Sequence, residues 1–412
     1  MMQPGEIRSE QVQTDRALPA PSPVLSTLAV VAILSAALQG VGTAAASGEP
    51  SALRMVPIPH PITSLLRSGR IHRDLKLAPE VVAQVEKAVD EVDLPLWRLR
   101  DLPPEKRNGQ ADQLVSQLWR RLSDILSVRQ TQRLNQIVWQ AQGVEAILEP
   151  EVTTRLKLTA GQTANILAML NTGYKRIAEI RLNPPIRPES VRNAQIQQVR
   201  AETQQNIVAV LSSFQQDAFT LLVGRRLNLS QVRSVACKAP EIETETWINS
   251  SPVKLSELKG KVKVVYFYAF GCGNCVRSLP HYNAWQKRFD TDTFAIVGIH
   301  RPETERERDI EKVKEKAVEA GMEYPIAIDN DSLAWEAWGN HTWPTTYLID
   351  KNGYVRYWWY GELNWQDNGS EKHLRDRIQG LIRESAEGGV KKVSGTFFDE
   401  GSLGHLLISP SR

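Results

Sequence analysis

A chain of 412 residues is long enough for about two or three domains, so a single small disulfide-stapled module is excluded. With 42% hydrophobic residues, 24% charged and a formal net charge of +3, it reads as globular and lacks the basic excess of a nucleic-acid binder. Its three cysteines, Cys237, Cys272 and Cys275, are too few for a disulfide framework or a four-thiolate zinc site.

The first element is an apolar run from Val24 to Leu38, preceded by Arg8 and Arg16 and followed by Thr43-Ala44-Ala45-Ala46-Ser47. This is the layout of a secretory signal, shorter than the ~20 residues that span a bilayer. Cleavage near Ala46 is expected, and an uncleaved membrane anchor is the alternative, since Glu6, Glu10 and Asp15 sit in the leading segment. Both place residues 47–412 outside the cytoplasm. The proline-bearing stretch 47–71 is expected to be an extended linker.

Residues 72–235 are rich in Gln, Arg, Leu and Ala at helical spacing; Leu114, Leu118, Leu122 and Ile125 line one face of a predicted helix. A short pattern recurs there: Leu126-Ser127-x-x-Gln130, Leu158-Thr159-x-x-Gln162 and Leu211-Ser212-x-x-Gln215. The hydroxyl at the N-cap accepts from a backbone N–H one turn on, and the Gln reaches back to the N-cap N–H. Such boxes start helices, so an all-α domain of helical hairpins is expected. The motif resembles that of the periplasmic Spy/CpxP-type stress proteins, a likeness that implies a binding or sensing role; a plain helical interaction or spacer domain explains the same boxes.

Beyond Lys238 the texture changes, and eight of the eleven tryptophans lie there. Val262–Phe267 reads as a β-branched, aromatic strand, and Cys272–Phe289 has helical spacing through Leu279, Tyr282, Trp285 and Phe289. Strand, helix and strand follow at Phe294–Ile299, Asp309–Ala320 and Ile326–Ile328. Asn352-Gly353 between Thr346–Ile349 and Tyr354–Trp359 is a hairpin signal, and Glu371–Glu384 is a closing helix. The expectation is an α/β domain over 236–385, with a mixed central sheet covered by helices on both faces, and a loosely held tail at 386–412.

Cys272-Gly273-Asn274-Cys275 stands between the first core strand and its helix. At a helix start, unpaired N–H groups and the helix dipole stabilise a thiolate, so Cys272 is the candidate nucleophile. Cys275, on the same helical face, is the candidate resolving thiol, the two forming a redox-active disulfide. Half of a zinc site is the competing reading, but no second pair stands at ligand spacing, and neither metal nor cofactor is expected.

The order of elements and a set of local motifs resemble the thioredoxin fold, in its TlpA/ResA and DipZ-type branch of extracytoplasmic thiol–disulfide oxidoreductases. The motifs are Ala239-Pro240, Leu255-x-x-Leu258-Lys-Gly260-Lys261, Cys272-x-Asn274-Cys275-x-Arg277-x-x-Pro280, Gly298-Ile-His300-x-Pro302-Glu303, Tyr324-Pro325-Ile-Ala-Ile-Asp329-Asn330 and Trp343-Pro344-x-x-Tyr347-Leu-Ile-Asp350. The resemblance implies a cis bond before Pro344, a peptide-substrate edge at Trp343 and Pro344, and protein thiols or disulfides as partners, with the electron donor unnamed. A core role for Trp343 is the alternative, and Pro280 is read as a helix kink.

Three departures stand out. Gly271 replaces the tryptophan that commonly precedes the first cysteine, Tyr266 replaces a buried acid, and Ser278 replaces a glutamate of ResA-like chains. The base for Cys275 is thereby left open among Tyr266, Tyr268 and His281. Cys237 reads as a linker thiol, with an intermolecular disulfide or a relay to Cys272 as alternatives. Val265 and Ala269 stand where peroxiredoxins carry Pro and Thr or Ser, which lowers a peroxidase reading. The expected function is an exported thiol–disulfide oxidoreductase. Its alternative is a helical envelope binding or sensing protein with a redox-controlled, low-turnover thioredoxin-like module.

Overall fold

The computed structural model describes residues 58–182, 189–230 and 232–384. The expected signal segment and the tail at 386–412 lie outside these residues. Helices come first: α1 Pro61–Leu66, α2 Gly69–Asp74, α3 Pro79–Asp90, α4 Asp93–Arg98, α5 Pro104–Ile125, α6 Val128–Gln142, α7 Pro150–Arg155, α8 Ala160–Leu182, α9 Glu189–Val210 and α10 Ser213–Val223. The linker expectation for 47–71 fails from Pro61 onward. Proline there occupies the first helical turn, where its missing N–H costs nothing, and every residue of α1 is buried.

The three boxes start α6, α8 and α10, as their spacing predicts; Ser127 and Ser212 accept from the amides of Gln130 and Gln215, and Thr159 Oγ1 from that of Gln162 at 3.1 Å. Their glutamines also reach across the domain. Gln162 and Gln215 exchange amide hydrogen bonds at 2.9 and 3.1 Å, while Gln130 and Gln215 donate to the carbonyls of Leu75 and Leu156, both at 3.2 Å. Leu75-Lys76-Leu77 and Leu156-Lys157-Leu158 are themselves alike. Each lysine ends a short helix with positive φ, 53° and 49°, and the next leucine N–H returns to the carbonyl of His72 or Thr153. The helical region thus uses the same helix-ending turn twice. The segment after Leu77 reaches the first box through α3, α4 and α5, whereas α8 and α9, between the second and third boxes, form a long hairpin with its own small core of Ile177, Ile196 and Val199.

The remaining elements are β1 Cys237–Lys238, β2 Trp247–Ile248, β3 Val262–Tyr268, α11 Gly273–Arg288, β4 Phe294–His300, α12 Ile310–Glu319, β5 Ile326–Ile328, α13 Leu333–Ala337, β6 Thr345–Ile349, β7 Tyr354–Tyr360 and α14 Ser370–Arg383. They form a mixed sheet in the order β1-β7-β6-β3-β4-β5-β2, with β3, β4 and β5 parallel and the other pairings antiparallel. The β6–β7 turn carries Gly353 at φ 92°, and Asp350 Oδ1 accepts from the amides of Asn352 and Tyr354. All of β3 is buried, so period-two alternation splits its side chains between two cores. Val264, Tyr266 and Tyr268 face the core that holds Cys272 and Cys275, covered by α11, α12 and α14.

Val265 and Phe267 face the other core, which runs without a break into the helical region. Helices do cover both sheet faces, and much of the second cover is the N-terminal half. Trp97 of α4 is the central knob, edge-on to Tyr347 at 5.5 Å and Trp358 at 6.0 Å. Arg67 pairs with Asp93 at 2.7 Å, and Asp93 also accepts from the amide of Lys238. Cys237 is therefore no linker thiol: it is 1% exposed in β1, opposite Val355, on the face away from Cys272. The sheet stands between the two, which removes the relay.

Candidate active site

Strand β3 ends at Tyr268, whose carbonyl accepts from Arg301 N–H at 3.0 Å, and Ala269 O accepts from Cys272 N–H at 3.3 Å. This tight exit makes Cys272 the N-cap of α11, with φ −75° and ψ 110°. Its sulfur receives the Cys275 thiol and the amides of Asn274 and Cys275, and these donors pull the Cys272 pKa below the ordinary thiol value against the opposing effect of burial. Cys275, 1% exposed, moves the other way: burial pushes its thiol well up. All three cysteines are free thiols in this structure.

The structure joins Trp343 and Pro344 to this pair. Their peptide bond is cis, and Trp343 packs against the core containing both cysteines. Half-buried, its ring tilts over Trp335 at 4.2 Å, with the Arg301 guanidinium 4.9 Å from its centroid, and its indole N–H donates to Arg301 O at 3.2 Å. Trp343 is thus part of a packed cluster and remains partly exposed. Arg277 lies at the start of α11, bonded to Glu362 at 2.7 Å and to Asn274 Oδ1 at 2.5 Å.

The replacements at the acid positions have structural roles. Ser278 is 0% exposed, donates to Asn274 O at 2.9 Å and accepts from Leu363 N–H at 3.1 Å, so its hydroxyl is fully used. Tyr266 stacks on Tyr282 at 3.9 Å and shares a hydrogen bond with Tyr324 at 2.8 Å. Burial drives Tyr266 and Tyr268 well above the ordinary phenol pKa, which disqualifies both as bases. Glu303, exposed on the loop after β4, is a carboxylate whose charge raises both thiols, and desolvation and the charge of Glu307 raise its own carboxyl. Its sequence signal was the Gly298-to-Glu303 motif, which named the residue without a role.

Residues 235–358 match the AhpC/TSA family. DipZ of Mycobacterium tuberculosis is 38% identical over 128 residues, covering 30% of this chain and 18% of its own. Thiol-disulfide oxidoreductase YkuV of Bacillus subtilis is 26% identical over 147 residues (35% and 95%), and ResA of Bacillus thuringiensis 29% over 110 (27% and 61%). Among solved structures, a thiol-disulfide isomerase of Corynebacterium glutamicum covers 36% of this chain and 98% of its own, at 22% identity and TM-score 0.31. The C-terminal domain is a thioredoxin-like domain, and the relatives it matches include proteins named thiol-disulfide oxidoreductases. The chain spans under a fifth of DipZ, and residues 1–234 lie outside the family match. Within that family match, the positions seven and three before Cys272 are Val265 and Ala269, both apolar and buried, so they supply no hydroxyl to a peroxide.

Proposed function

We propose that the protein is an exported oxidoreductase that exchanges disulfides with protein partners through Cys272 and Cys275. The observation that carries this reading is the asymmetry of the pair: a thiol capping a helix start and held low by hydrogen-bond donors, beside a buried thiol held high. In the reductive direction the Cys272 thiolate bonds to one sulfur of a substrate disulfide, and the second substrate sulfur leaves and takes a proton. Cys275 then loses its proton to Glu303, whose raised carboxyl pKa suits that transfer, and bonds to Cys272, releasing the first substrate sulfur as a thiol. Two electrons pass to the substrate, and an external dithiol must restore the pair.

The partly exposed Trp343 and the backbone beside Pro344 suit an extended peptide laid along the site. Export rests on the leading apolar segment of the sequence; among the described residues, no helix is long and apolar enough to cross a membrane. An insulin-reduction assay comparing the parent with Cys272→Ser tests the reading. The parent should turn over and the variant should not; equal rates would leave only the redox-controlled binding module.

A further inference from the structure

Gly271 precedes the nucleophile where thioredoxin-like chains commonly carry tryptophan, and its glycine is a matter of space. Its φ is outside the left-handed region. A Cβ on it would sit 2.6 Å from Glu307 Oε1 and 3.3 Å from Glu307 Cδ. Normally a glutamate tip swings aside, but this one is 2% exposed and held at both oxygens. Oε1 accepts from Gly271 N–H at 2.6 Å; Oε2 accepts from the amides of Glu303 and Thr304 at 2.9 and 2.8 Å and from Thr304 Oγ1 at 3.1 Å. One residue earlier, Phe270 N–H donates to His300 Nε2 at 3.4 Å, and the two rings stack at 5.6 Å. Two consecutive amides leading into Cys272 are therefore gripped by side chains from the end of β4 and the loop after it.

We propose that Glu307 is a positioning residue for the nucleophile: its carboxylate clamps the Gly271–Cys272 turn to the 303–304 loop and makes glycine obligatory at 271. The clamp fixes where Cys272 sits relative to the amides of Asn274 and Cys275, and it sets Glu303 beside the pair through the same oxygen pair. This rests on Cys272 being the attacking thiol, so its test includes a measurement that needs no turnover.

Amide hydrogen exchange on the full chain should show Gly271 N–H protected in the parent. In Glu307→Gln, where the side chain offers an amide N–H₂ in place of one oxygen, that protection should fall by about tenfold with the β3 amides unchanged, the effect of one lost hydrogen bond. Gly271→Ala should slow reaction with insulin disulfides about tenfold and raise the pH midpoint of Cys272 alkylation by about half a unit, the size of a lost helix-start interaction. In a Glu307→Ala background the added methyl should change neither quantity. A merely structural residue would lower thermal stability and leave the alkylation midpoint and this suppression absent. Unmoved Gly271 exchange in Glu307→Gln overturns the clamp, as does an equal Gly271→Ala penalty in both backgrounds. A parent inert toward insulin refutes the exchange reading instead, and the amide measurement still decides on the clamp.

Discussion

Replacing Trp97 with alanine tests whether the helical and thioredoxin-like regions are one folding unit. Trp97 is 0% exposed and wedged edge-on between Tyr347 and Trp358, and the buried Arg100 guanidinium lies 3.8 Å over its ring. Truncating a buried tryptophan costs about 3–5 kcal/mol through lost transfer energy and the cavity left behind. Losing a desolvated cation–π contact adds about 2 kcal/mol. The indole N–H has no partner among the described residues, so its removal returns about 1 kcal/mol. A net loss of about 5 kcal/mol follows, comparable with the whole stability of many domains. Urea unfolding followed by far-UV ellipticity and by tryptophan fluorescence should coincide in the parent; in Trp97→Ala the two curves should separate as both midpoints fall. Trp97→Phe keeps a ring in the wedge and sheds the unpaired N–H, so it should lose no more than about 2 kcal/mol. A loss below about 1.5 kcal/mol for Trp97→Ala, with the curves still coincident, would refute a shared core.

At neutral pH, limiting iodoacetamide should modify Cys272 ahead of Cys275 and Cys237, as mapped by mass spectrometry; equal labelling of Cys275 would contradict the asymmetry of the pair. Cys275→Ser should accumulate a stable mixed disulfide with a substrate thiol, visible on a non-reducing gel, because nothing then resolves it. His300 is pulled from 6.5 down to about 4, chiefly by burial, so it stays neutral when folded while the unfolded chain takes up a proton. The stability it contributes is whole above pH 6.5 and declines as pH falls to about 4, by roughly 3 kcal/mol; the acid limb measured by urea titration should flatten in His300→Gln. Cys237 is raised by burial and then by the charge of Asp93, so its contribution is whole below an unfolded thiol pKa of about 8.5 and is lost above it. In a Cys272→Ser, Cys275→Ser background, Cys237→Ala should weaken the fall in stability at alkaline pH, and an unchanged alkaline limb would count against this.

What the sequence reveals here is what neighbours decide. The boxes at Ser127, Thr159 and Ser212 are contacts between residues three apart, and the hairpin at Asn352-Gly353 closes over its own turn, so both could be read without the fold. The C-x-x-C pair was legible for the same reason, since strand, turn and helix start are consecutive. Stretch 47–71 misled because prolines mark linkers and helix starts alike; burial of α1 comes from afar, for example through Ser64, whose hydroxyl accepts from Val235 N–H at 3.0 Å. Cys237 was misplaced similarly, its partner Val355 lying on the adjacent strand β7, far along the chain. Gly271 showed as a departure, but its reason, Glu307, lies in another loop. Glu303, the carboxylate proposed to serve Cys275, lies on the loop after β4, so no spacing around the C-x-x-C pair could point to it.

The distribution of bonds around the cis-Pro segment assigns the helical half a larger part than tethering. Arg98 donates to Ala337 O at 2.7 Å, and Arg100 to Gly339 O at 2.9 Å and to Tyr360 Oη at 2.6 Å. Tyr360 pairs with Thr345, which directly follows Pro344, and also donates to Asp101 at 2.7 Å. Tyr347, bonded to Asn340, receives Trp97 on its ring. Four of the five residues from Trp97 to Asp101, all but Leu99, therefore hold the segment that runs from α13 into β6 and carries Trp343 and Pro344. Here the segment that carries Trp343 and Pro344 is packed jointly by both halves, with Arg98 and Arg100 supplying hydrogen bonds from the helical half.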